Sequence, residues 1–168
     1  MTEDAALDFN ATFSPDGKQV AFVSTRDGNL ELYTMETGGS EVRRLTAHYA
    51  MYDHPAWSPD GSRIAFVSTR DPAPAGRAWN GIYVMDANGS NVHRLSPDDA
   101  SDFSPAWSPD GERLAFTSGN GGGDLHVMNA DGSRRRLVVK DGGWPTFIDG
   151  GQAIAFHRLG QRGQWNIW

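Results

Sequence analysis

One five-residue phrase recurs along the chain and limits what it can become. Phe13-Ser14-Pro15-Asp16-Gly17 returns as Trp57-Ser58-Pro59-Asp60-Gly61 and again as Trp107-Ser108-Pro109-Asp110-Gly111. A worn fourth copy reads Phe147-Ile148-Asp149-Gly150-Gly151. The copies lie roughly 40–50 residues apart, the span of one small β-sheet unit in a radial repeat. Each phrase encodes a turn. Proline presets φ at the first central position, Asp suits the second, and Gly accepts the left-handed conformation that closes a hairpin.

Other segments repeat in step with that turn. A first strand, read as short, ends on the aromatic at Ala56-Trp57, Ala106-Trp107 and Thr146-Phe147. A second strand follows at Val20-Ala21-Phe22-Val23, Ile64-Ala65-Phe66-Val67, Leu114-Ala115-Phe116-Thr117 and Ile154-Ala155-Phe156-His157. A third covers Leu32–Met35, Ile82–Met85, Leu125–Met128 and finally Ile167-Trp168. Beyond a Gly-containing turn comes a polar outer strand, Val42–Leu45, Val92–Leu95 and Arg135–Leu137, where Arg discourages edge-to-edge pairing. Four strands per unit, apolar inside and charged outside, spell an all-β chain of β-propeller blades with four antiparallel strands each. The expected blades are 8–46, 52–96, 102–138 and 144–168, the last incomplete, within a single domain.

The run aromatic-Ser-Pro-Asp-Gly, then Ile-Ala-Phe-Val-Ser-Thr-Arg-Asp, then Ile-Tyr-Val-Met-Asp-Ala-Asn-Gly-Ser, then Arg-Leu resembles the TolB-like, WD40-like propeller repeat. The resemblance covers almost the whole chain and implies a partial propeller, because rings of this repeat close with more blades. It implies a protein-binding or scaffolding role. The alternative it carries is an accessory propeller of a prolyl-oligopeptidase-type serine peptidase. It also implies a periplasmic or extracellular setting, with the cytoplasm left open. A fragment of a longer chain and a half-ring completed by a second copy are both consistent with blade faces left at the two ends.

No catalytic constellation is expected. Gly-x-Ser-x-Gly and His-Glu-x-x-His are missing from the sequence, and the chain contains no cysteine for thiolate metal sites. No cofactor is expected. The alternative left open is a calcium ion in the central tunnel, held by a ring of Asp8, Asp53 and Asp102, read as equivalent loop positions. His48 and His54 beside Asp53 form a weaker metal candidate, and Asp98, Asp99 and Asp102 read as an acidic solvated loop. A formal net charge of −6 argues against a nucleic-acid partner. The single basic run, Arg134–Arg136, reads as a solvated edge. No apolar stretch is long enough to insert in a membrane, and residues 1–15 show no leader pattern. The expected partner is a protein, or a second copy of the chain. The expected contact face is made by the loops 46–54, 68–80, 96–104, 118–124 and 139–145. Its anchors are Tyr52, Asp53, His54, Trp79, Asp102, Phe103 and Trp144.

Overall fold

The computed structural model describes residues 5–71, 80–97, 100–119, 123–160 and 163–168. Four antiparallel sheets form in chain order, each a meander, as short hairpin turns demand. The first holds β1 (Asp8–Phe13), β2 (Gln19–Ser24), β3 (Glu31–Glu36) and β4 (Arg43–Arg44). The second holds β5 (Tyr52–Trp57), β6 (Arg63–Ser68), β7 (Gly81–Asp86) and β8 (His93–Arg94). The third holds β9 (Asp102–Trp107), β10 (Arg113–Ser118), β11 (Asp124–Asn129) and β12 (Arg136–Val139). The fourth holds β13 (Gly143–Ile148), β14 (Ala153–Leu159) and β15 (Trp165–Ile167). They are the four blades of a β-propeller, with β1, β5, β9 and β13 innermost and packed in series.

The repeated turn works as its residues predict. The Gly17 amide donates to the Ser14 carbonyl at 2.9 Å, and Gly61 and Gly111 do the same to Ser58 and Ser108. All three glycines sit at φ of 69–72°. The serine hydroxyl donates to the Asp two residues on and accepts from the amide five residues on. The turns also stack between blades: a Cβ on Gly61 would meet Pro15, and one on Gly111 would meet Pro59.

The core lies between blades. One face of the first blade (Ala21, Val23, Leu32) receives Trp57, Ile64, Phe66, Tyr83 and Met85 of the second. The junction repeats as Ala65, Ile82 and Val84 against Trp107, Leu114, Phe116 and Met128. It repeats once more as Ala115, Leu125 and Val127 against Phe147, Ile154 and Phe156. Small residues on the trailing face accept large ones on the leading face, which fills a wedge that narrows toward the axis. The Trp107 indole N–H ties the second junction by donating to the Ala56 carbonyl at 3.1 Å.

The first strands are longer than the sequence suggests. Each has six residues and carries a one-residue bulge, between Phe9 and Thr12, Asp53 and Ala56, Phe103 and Ala106, and Gly143 and Thr146. The outer strands β4 and β8 are shorter than expected, two residues each.

Candidate functional site

The bulges build the candidate site. The first bulged residue is Asn10, His54, Ser104 or Trp144, and all four take the left-handed conformation at φ of 46–51°. The next is Ala11, Pro55, Pro105 or Pro145. Proline has no amide to offer a ladder, and each of these strands is a sheet edge whose bulge leaves that position unpaired. The eight residues together line one pocket of about 250 Å³, to which every blade contributes equivalently, so it lies on the propeller axis. A second cleft of about 340 Å³ adjoins it and shares His54, Ser104 and Trp144. Phe103, Thr117, Gly119, Gly123 and Trp165 complete its wall.

Within the cleft Trp144 and Trp165 meet edge to face, with centroids 5.3 Å apart and planes at 88°. Both are about half exposed, at 48% and 50%. His157 supports Trp144 from 6.0 Å, and the Trp144 amide donates to Thr117 Oγ1 at 2.9 Å. On the polar side Asp53 Oδ1 accepts from Asn10 Nδ2 at 2.5 Å and from the His54 amide at 2.8 Å. His54 Nδ1 lies 3.0 Å from Asp53 Oδ2. Burial works to raise the Asp53 pKa, but the contacts from His54 and Asn10 outweigh it and hold the carboxyl below its ordinary value.

His54, Phe103 and Trp144 line one cleft, with Asp53 directly behind His54. Tyr52 and Asp102 do not join them. Tyr52 is buried between the first two blades, against Phe66. Asp102 is fully buried and accepts from Arg135 Nη1 at 2.5 Å and Nη2 at 3.0 Å. Trp79, Asp98 and Asp99 lie outside the described residues.

The ring of Asp8, Asp53 and Asp102 is out of register. The bulges align Asp53 with Phe9 and Phe103, while Asp8 and Asp102 align with Tyr52. Each carboxylate has a different partner: Arg26 for Asp8, Asn10 and His54 for Asp53, Arg135 for Asp102. Among the described residues no three His or acidic side chains converge on one point. Arg135 is not a solvated edge residue either. It turns inward, donates to Ser118 Oγ at 2.6 Å and stacks on Phe116.

Sequence reading missed Asn10, Ser104 and Trp165. A signal existed for the first two: the string x-Pro-Ala-Trp or x-Pro-Thr-Phe recurs at 54–57, 104–107 and 144–147, with x-Ala-Thr-Phe at 10–13. Trp165 carries no such mark, because the fourth repeat has drifted from the others.

Residues 3–78 match the family described as TolB beta propeller domain. Among solved structures, a putative TolB from Agrobacterium tumefaciens superposes with a TM-score of 0.81 at 20% identity, over 98% of this chain and 58% of that one. TolB from Acinetobacter baumannii gives 0.76 at 24% identity, over 96% and 40%. A puromycin hydrolase gives 0.75 at 15% identity, over 99% and 27%. The chain thus spans 58% and 40% of the lengths of the two TolB structures. Repeat and blade architecture agree with the match over residues 3–78: the chain folds as a β-propeller whose repeats are similar to those of the TolB propeller.

Proposed function

We propose that the chain is a non-catalytic, protein-binding propeller whose contact surface is the axial mouth around His54, Phe103 and Trp144. One observation carries this reading. Four equivalent bulges spend backbone strain to aim Asn10, His54, Ser104 and Trp144 into one pocket, and strained positions in a rigid scaffold mark places where a side chain is presented. The aromatic cleft beside it supplies anchors of the type that dominate protein interfaces. A photo-crosslinking residue at Ser104 tests the proposal in cells. A discrete adduct is expected from Ser104, lost when Trp144 is replaced by Leu, with none from Lys18 at the turn end. No adduct from Ser104, or equal adducts from both, counts against it. The setting that fits such a role is the periplasm or the cell exterior. No described helix is long and apolar enough to cross a membrane.

The same proposal includes self-association. Ile154 and Phe156 face the third blade, so strand alternation turns Leu159 and Ile167 to the opposite face, where both are exposed. The leading face of a second copy, where Phe13 is exposed, has the chemistry to cover it.

The accessory-propeller alternative draws on the puromycin hydrolase superposition, in which this chain matches 27% of that protein. A hydrolase domain carrying Gly-x-Ser-x-Gly, encoded with this propeller, would favour it. A partner captured at Ser104 with no such domain would favour the binder.

A further inference from the structure

We infer that the cleft between Trp144, Trp165 and Phe103 is a cation-binding site that receives an arginine side chain of the protein partner. The inference rests on the binding role proposed above. Its ground is a habit of the fold and a cleft in which three neighbouring rings stand outside that habit. Among the described residues, seven arginines stack on aromatic rings. Arg26 lies 4.9 Å from the Tyr33 centroid, Arg63 lies 4.7 Å from Trp107, and Arg135 lies 4.8 Å from Phe116. Arg70 and Arg94 cover Tyr83, Arg113 covers Phe147, and Arg158 covers Phe156 and Trp168. Among the described residues, no cation lies over Trp144, Trp165 or Phe103.

These three uncapped rings line one cleft, and the two indoles stand perpendicular to each other. Ring faces set at right angles form the corner of a box, the arrangement that best surrounds a cation with negative quadrupoles. The described walls contain no Lys or Arg. The charge behind the polar wall is negative, since Asp53 sits against His54, and the chain as a whole carries −6. A volume of about 340 Å³ suits a side-chain head group better than a helix or a strand. Arginine suits it better than lysine, because a planar guanidinium stacks on an indole while offering its edge N–H groups to Ser104 or His54.

The test titrates the purified chain with acetyl-Gly-Arg-Gly-amide, with its neutral citrulline counterpart, and with choline. The readout is the indole N–H resonances of Trp144 and Trp165 at low ionic strength. The arginine peptide should shift both resonances saturably, at concentrations about tenfold below the citrulline peptide. Trp165→Leu should abolish that preference, while Trp165→Phe, which keeps a ring, should retain most of it. Equal response to citrulline would mean a merely apolar cleft and would overturn the inference. So would tighter binding of choline than of the arginine peptide, or an unchanged preference in Trp165→Leu. A Ser104 adduct without arginine selectivity would sink the cation site and leave the binding role standing. Arginine selectivity without an adduct would do the reverse.

Discussion

At the scale of single residues, small polar groups decide more than their exposure suggests. Asp60 accepts from the Ser58 and Ser62 hydroxyls and from the Ser62 amide, and these contacts pull its pKa from 3.8 to about 2. Asp16 and Asp110 are lowered in the same direction, each chiefly by its turn serine. A carboxyl with a depressed folded pKa contributes stability above its unfolded pKa and loses it as pH falls through the folded value. Stability should therefore decline between about pH 4 and 2. Asp60→Asn should flatten that decline in a pH series of urea melts, because the group that titrates is gone. Arg135 makes a stronger case. Asp102 is fully buried beneath it, so Arg135→Ala strands an uncompensated charge and should cost roughly 3–5 kcal/mol in chemical denaturation. Restoring part of that loss with Asp102→Asn in the same chain would identify the buried charge as the cause.

At the scale of the element, the hairpins that join third and fourth strands are fitted to the blade before them. A Cβ on Gly89 would lie 2.9 Å from the Leu45 carbonyl oxygen, and one on Gly132 would lie 2.9 Å from that of Leu95. Both glycines also sit at φ near +85° (89° and 84°), so the turn needs glycine for conformation and for clearance. Gly132→Ala should destabilise the chain by about 1–3 kcal/mol, measured as a shift in urea midpoint at unchanged slope. Gly17→Ala is the informative comparison, since it carries the conformational strain with nothing within 4 Å of the added methyl. Its cost should be the smaller of the two. The inner strands show how far element-level reading reaches. Their aromatic ends and following turns are plain in the repeat. Their first halves are not, because Pro55, Pro105 and Pro145 interrupt the strand pattern until the bulge and edge position that accommodate them are known.

At the scale of the molecule, the terminal blades present faces that the inner junctions show to be interface material. Phe13 is 64% exposed, whereas its counterparts Trp57 and Trp107 are buried against the preceding blade. Ile167 is 75% exposed, whereas its counterpart Ile82 is fully buried. Sedimentation velocity of this chain should show mass rising with concentration through the micromolar range, and Ile167→Asp should shift the distribution toward the 18.3 kDa monomer. A monomer at every concentration would remove self-association from the proposed role.

The blade count, the strand order and the core positions of the second and third strands follow from the repeated phrases alone, because turn chemistry and two-residue alternation are local and leave their marks in the chain. The register of Asp53 against Phe103, the inward turn of Arg135 and the pairing of Trp144 with Trp165 depend instead on three-dimensional placement. A bulge displaces everything before it by one residue, and Arg135, just before the outer strand β12, reaches across to Asp102 at the start of the inner strand β9. His54, Phe103 and Trp144 lie on different blades and become neighbours only once the blades have stacked. The cleft therefore exists only where three blades meet, and no single blade's sequence describes it.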